Sequence, residues 1–189
     1  MKTKKFTKLH RVLHWLIAFG LLFILLTIFL RQNWINKYKV AEIITQQLSE
    51  IQVDIANNQA VVIAKKIREP MWQWHLYVGY FIAALYFVRI LYIFIKGSFF
   101  NNPFSSETVG KEKVQAFIYI LFYTFLGVSL ITGGLVVFGA EENRHSIEAV
   151  HKLSNLWLMP FIILHLGGTV VGELTSQKGI VSKMINGSD

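Results

Sequence analysis

"VLHWLIAFGLLFILLTIFL", Val12 to Leu30, contains no Asp, Glu, Lys or Arg in 19 residues. Coiled as an α-helix at 1.5 Å per residue, it is about 29 Å long, close to the roughly 30 Å of hydrocarbon in a bilayer. Its basic lead, "MKTKK", resembles the start of a secretory signal. The apolar run is longer than a signal core of ~7–15 residues, and "RQNWINKY" follows it where a small-residue cleavage site belongs. The expectation is an uncleaved first membrane helix.

Three more runs have the same character. "HLYVGYFIAALYFVRILYIFI" covers His75 to Ile95, and "AFIYILFYTFLGVSLITGGLVVFGA" covers Ala116 to Ala140. The fourth, from about Val150 to Gly172, is apolar from Leu156 onward except for His165 and Thr169. Lipid leaves irregular backbone without partners, so spans of this kind must be helical. The expected fold is all-α: one integral membrane four-helix bundle over residues 1–189, with helices at about 10–31, 73–96, 114–140 and 147–173.

Residues of about 32–72 form a long loop outside the lipid. It should be partly helical, since Val40, Ile43, Ile44, Leu48 and Ile51, and then Val62, Ile63 and Ile67, recur at helical spacing. Asn57 and Asn58 are candidate caps for its second piece, and Pro70 should end it. The loop reads as a flap over one end of the bundle or as a platform for a soluble redox protein. The tail "SQKGIVSKMINGSD" reads as a short polar interfacial segment.

The net charge of +8 could point to nucleic acid, but its distribution does not. Lys2, Lys4, Lys5, Lys8 and Arg11 crowd the N-terminus without an acid among them. That is the positive-inside pattern, which predicts a cytoplasmic N-terminus and, after four spans, a cytoplasmic C-terminus. The chain has no cysteine, which excludes disulfides, iron–sulfur clusters and thiolate metal sites.

Ionisable side chains inside a membrane helix are costly and point to function. Of six histidines, His10 and His145 are expected outside the spans, and His14, His75, His151 and His165 at or inside span ends. His151 and His165 are fourteen residues apart. On a straight helix that is a rise of roughly 21 Å and a return to within about 40° of the same face. With alternating helix directions, His14 and His165 fall at one depth and His75 and His151 at the other. Two imidazoles facing each other at one depth are what a six-coordinate b-type haem requires, so two pairs imply two haems. A zinc or copper site would want three or four ligands at one depth. A proton relay would want a carboxylate, and the spans hold none. A lone histidine could merely hydrogen-bond a neighbouring helix.

Arg89, fourteen residues after His75, is expected on the haem-facing side, where a propionate would satisfy it, with snorkelling as the alternative. Arg11 could serve the same haem. Gly79, on the face of His75, and Gly168, after His165, could leave room for a flat macrocycle or simply permit close helix packing. "GVSLITGG" in the third span reads as packing alone.

These features together resemble the bacterial cytochrome b561 family. The resemblance is carried by "LHRVLHW" (Leu9–Trp15), "WHLYVGY" followed by "VRIL" (Trp74–Leu91), and "VHKLSNLWLMPFIILHLGG" (Val150–Gly168). The entrance to the second span, "PMWQWH" from Pro70 to His75, looks like that of a subgroup with a long outer loop. The resemblance implies two haem b groups ligated by His14, His75, His151 and His165, with Arg89 near the inner one. It implies electron transfer across the bacterial inner membrane between a quinone pool (ubiquinone or menaquinone) and an outer-side partner, such as a periplasmic c-type cytochrome. Rival roles are superoxide oxidase, with a basic funnel of Lys152, Arg144 or Lys66, and the haem subunit of a hydrogenase or formate dehydrogenase. A non-redox transporter or anchor is the remaining rival.

Overall fold

A computed structural model describes residues 6–97, 102–106, 110–175 and 178–187. Lys2, Lys4, Lys5, the side chain of Lys111 and tail residues 176–177 and 188–189 lie outside the described residues. The elements are α1 (Lys8–Gln32), α2 (Lys37–Glu50), α3 (Asn57–Ile67), α4 (Glu69–Lys96), α5 (Gly110–Phe138), α6 (Glu141–Lys152), α7 (Ser154–Leu174) and α8 (Ile180–Ile185). No strand occurs among the described residues. Among the described residues, four stretches are long and apolar enough to cross a membrane: Lys8–Gln32, Glu69–Lys96, Glu112–Phe138 and Glu141–Leu174. The fold is thus all-α, of the integral membrane helical-bundle class. Large apolar side chains point outward from every span, as at Phe19 (61% exposed), Phe94 (82%), Ile131 (64%) and Leu164 (71%). Lipid, not a protein interior, is the solvent that such faces fit.

The chain packs as two compact units, Met1–Leu16 with Ala83–Asp189, and Ile17–Ile82. In the second unit, α1 and α4 approach closely where Gly20 faces Ile82; a Cβ on Gly20 would stand 2.9 Å from Ile82 Cγ1. The loop is a hairpin of α2 and α3. Its centre is small: Ala41, Ala60 and Ala64 are fully buried, with Val40, Ile44, Ile55 and Val61 packed around them. The larger residues Ile43, Ile51, Val62, Ile63 and Ile67 are exposed instead. Their helical period is real, yet alanine at the contact lets two short helices come closer than isoleucine would.

Between the two helices, Val53 N–H donates to Leu48 O and Gln52 N–H to Ser49 O. This is the Schellman pattern that satisfies carbonyls at a helix C-terminus. Gln52 takes the left-handed position, φ 60°, where glycine is usual. Asn36 caps α2 by accepting from Tyr38 N–H. At α3 the capping residue is Ala56, not Asn57 or Asn58, which begin the helix. Gln59 reaches back to accept from Ala56 N–H at 3.2 Å. Pro70 sits second in α4, within the first turn, where a missing N–H costs nothing. The helix therefore begins ahead of the expected residue 73. Arg68 donates to Arg31 O and Ile35 O at the end of α1, both at 3.4 Å. Burial, and then the Arg31 charge, pull the Arg68 guanidinium below its ordinary pKa.

In the first unit, the fourth span is two helices, not one. Leu153 N–H donates to Val150 O, and Leu156 N–H to Leu153 O, which are tight i→i+3 bonds between α6 and α7. The tail is a helix tied at both ends. Glu173 Oε1 accepts from Gly179 N–H (2.8 Å) and Oε2 from Val181 N–H (3.1 Å) at the start of α8. Arg11 donates to Ile185 O (2.9 Å) and Trp15 to Met184 O (3.2 Å) at its end. These are carbonyls that a helix terminus leaves without intrahelical partners.

Candidate haem-binding site

Within the first unit, α1 and α7 bring His14 and His165 together, with ring centroids 6.0 Å apart and planes inclined at 51°. Trp15 meets His14 edge-on, and Phe161 stacks on His165 at 5.7 Å and 11°. Phe122 stacks in turn on Phe161 at 4.5 Å, so the wall behind His165 is aromatic. Two metal–nitrogen bonds of about 2.0 Å, with roughly 1.1 Å from each nitrogen to its ring centre, require about 6.2 Å between imidazole centroids. The observed spacing fits one metal atom held from both sides. Among the described residues, no ring nitrogen of His14 or His165 has a hydrogen-bond partner.

His151, at the end of α6, is held differently. Its Nδ1 lies 3.0 Å from Ser129 O and 3.2 Å from Thr132 Oγ1. A carbonyl can only accept, so Nδ1 carries the proton and Nε2 keeps its lone pair. Metal-binding histidines are oriented in just this manner, through the nitrogen that does not bind. Ser129 is itself fixed: its hydroxyl lies 2.6 Å from Ser154 Oγ and accepts from Trp157 Nε1 at 3.2 Å. Gly133 leaves the space the ring needs, for a Cβ there would stand 3.0 Å from His151 Cε1. "GVSLITGG" therefore does more than pack.

His75 belongs to the second unit, where Thr27 Oγ1 lies 2.9 Å from His75 Nδ1. The same hydroxyl donates its only proton to Ile24 O at 2.7 Å. It must then accept from His75 Nδ1–H, which again leaves the lone pair on Nε2. Trp72 stacks on His75 (5.1 Å, 7°), and the Arg31 guanidinium lies over Trp72. Gly79 has open space beside it: a Cβ would meet nothing within 4 Å. Gly168 is equally open.

The structure thus joins His14 to His165, while His75 and His151 each stand in their own unit. His10 departs from expectation. It lies inside α1, one turn before His14, and is only 5% exposed. Arg89, also buried, donates to Tyr123 Oη (3.0 Å) and His10 O (3.3 Å), with Nη2 3.4 Å from His10 Nε2. It is therefore not snorkelling. His145, by contrast, is an exposed residue of α6. The cations of the suggested basic funnel each have a carboxylate beside them: Lys152 with Glu148, Arg144 with Glu141, and Lys66 with Glu69. No group of three or more His, Asp or Glu side chains able to hold a metal ion occurs among the described residues.

His10, Thr27, Ser129, Thr132, Gly133 and Tyr123 were not singled out by sequence. Thr27 had a visible signal, as the lone hydroxyl in Val12–Leu30. A carbonyl acceptor such as Ser129 O has none, since every residue carries one.

Residues 5–187 match the family described as prokaryotic cytochrome b561. The chain belongs to that family. Membership makes it a membrane b-type cytochrome of electron transfer and implies haem b as its cofactor. Neither the curated proteins nor the solved structures gave a match.

Proposed function

We propose that this b561-family protein carries two haem b groups, one held by His14 and His165 and the other by His75 and His151. The observation that carries the first assignment is the 6.0 Å spacing of two imidazoles with no hydrogen-bond partner for their ring nitrogens among the described residues. The second is supported by the matched depths in the sequence and by the Nδ1–H state of both rings. Bound in this way, haem b supplies one-electron chemistry at iron whose potential is tuned by its ligands and their surroundings.

The chain's own residues aim the imidazoles, exclude water with apolar and aromatic walls, and leave room beside Gly79. Arg89 and Arg11 flank His14 and are the proposed partners of haem carboxylates. The membrane is the bacterial inner membrane with both termini in the cytoplasm, a reading supported by the basic N-terminus. Electrons pass between the quinone pool, ubiquinone or menaquinone, and a soluble redox protein on the outer side, such as a c-type cytochrome.

Haem quantification on the purified protein tests this, together with a reduced-minus-oxidised spectrum and reduction by quinol. The expected result is two haem b per chain, a b-type alpha band and reduction by quinol. A protein without the band is not a cytochrome. Copurification with a large catalytic subunit would make it the haem subunit of a larger enzyme.

A further inference from the structure

The tail helix α8 is tied to both helices that carry the close histidine pair. At its start, Glu173 of α7 accepts from Gly179 N–H at 2.8 Å and from Val181 N–H at 3.1 Å. Glu173 stands eight residues after His165 on the same helix. At its end, Arg11 of α1 donates to Ile185 O at 2.9 Å, and Trp15 to Met184 O at 3.2 Å. Arg11 and Trp15 bracket His14, three residues before it and one after. The chain then turns at Gly187, φ +72°, where a Cβ would stand 2.7 Å from Arg11 Cζ. Tail backbone and guanidinium are thus in contact.

One donor of that guanidinium is left over. Arg11 Nε is buried and has no hydrogen-bond partner among the described residues. A buried charged group with an idle N–H is costly, and the acceptor that suits it best is an anionic oxygen. Two sources offer one near His14: a carboxylate of the haem proposed for the His14–His165 pair, or a phosphate of a lipid headgroup. The haem is favoured, because a headgroup reaches an arginine from the solvent side, and Nε is closed off from solvent.

We propose that α8 is a strap whose closure is coupled to haem at the His14–His165 pair, with Arg11 as the residue that both share. This rests on the assignment of a haem to that pair. With Nη1 on Ile185 O and Nε on an anionic oxygen, the guanidinium is fixed from two sides. Haem and strap also bridge the same two helices, α1 and α7, so each favours the arrangement that the other needs. Linkage makes the effect reciprocal: the factor by which haem tightens the strap is the factor by which the strap tightens haem. One charge-assisted hydrogen bond puts that factor at about tenfold. Arg11 and Glu173 are then positioning residues for the strap.

The test is trypsin cleavage after Lys183, within α8, for the holoprotein and its variants in lipid-free detergent, read beside haem content. His165→Ala, which lacks this haem, should be cut about tenfold faster than wild type. His151→Ala, which keeps it, should be cut like wild type. If His165→Ala does not fold, wild-type protein stripped of haem takes its place and should show the same acceleration. Arg11→Gln should be cut fast whether or not the haem is loaded. Glu173→Ala frees the start of the strap without touching a ligand. By reciprocity it should hold that haem about tenfold more weakly against a haem-scavenging protein. Equal cleavage of wild type and His165→Ala overturns the coupling. So does fast cleavage of His151→Ala, which would mean general loosening, and so does a haem effect that persists in Arg11→Gln. Protection that appears only when anionic phospholipid is added belongs to a headgroup and overturns the assignment to haem. A His165→Ala protein with as much haem as wild type would instead end the haem reading of the pair, and this inference with it.

Discussion

Gly133→Ala sets two effects against each other and can be read quantitatively. In the helix interior, alanine is favoured over glycine by roughly 0.5–1 kcal/mol, so α5 itself gains. The new Cβ, however, stands 3.0 Å from His151 Cε1 and 3.4 Å from Nδ1. The ring must retreat by a few tenths of an ångström, and it is tethered by Nδ1–H to Ser129 O on the same helix. Overpacking of this size costs about 1–3 kcal/mol. At about 1.4 kcal/mol per tenfold, the His151 haem should bind roughly 5- to 150-fold more weakly, because the apoprotein can relieve the contact by turning the ring away and the haem-bound form cannot. Gly134→Ala is the matched control, because a Cβ there meets nothing within 4 Å. The assay is haem content per chain by pyridine haemochrome during graded haem extraction, with thermal unfolding in detergent alongside. Gly133→Ala should lose one haem early, and Gly134→Ala should behave as wild type or better. Equal haem retention by the two variants would refute the claim that Gly133 makes room for a ligand.

Other consequences can be checked separately. His14→Ala and His165→Ala should each remove one haem, and the double variant should remove no more than either alone. The pair His165→Ala/His151→Ala should remove both, as counted by haemochrome. Gln52→Gly relieves a left-handed non-glycine residue and should stabilise the α2–α3 turn by roughly 1 kcal/mol. It should be visible as about fivefold slower hydrogen exchange at the Val53 amide; unchanged exchange would mean that the turn is unstrained. Gly187→Ala puts a Cβ 2.7 Å from Arg11 Cζ at a residue with φ +72°, so α8 should detach from Arg11. Trypsin should then cut faster after Lys183, and an unaltered digestion pattern would count against the clasp.

The spans were legible because they depend on composition alone: each needs only enough apolar length, which Val12–Leu30 or Ala116–Ala140 displays without reference to a partner. The histidine spacing was legible for a similar reason. What escaped was everything set by a neighbouring helix. His10 was expected outside the spans, yet α1 begins at Lys8 and Arg89 covers it. The hairpin's two helices were legible from the spacing of its aliphatics, but its contact was not: it is made by Ala41, Ala60 and Ala64, whose value lies in what they lack. Asn57 and Asn58 are good cap residues in the wrong place by one or two positions, since Gln59 can reach back to Ala56 instead.

The fourth span shows why depth is easier to read than direction. On a straight helix, His151 and His165 lie within about 40° of one face. The bonds around Leu153 are i→i+3, and each residue in such a turn advances about 120° instead of 100°. A three-residue stretch therefore advances the second imidazole by roughly 60°, from about 40° short of the first to about 20° past it. Its effect on rise is smaller, because Leu153 itself stays near helical values, φ −64° and ψ −14°. Separating α6 from α7 frees each histidine to be aimed by its own surroundings. His151 is aimed by Ser129 O and the gap at Gly133, and His165 by the stack on Phe161. On the two-haem proposal His151 and His165 serve different centres and need no common bearing, which the separation of α6 from α7 at Leu153 allows.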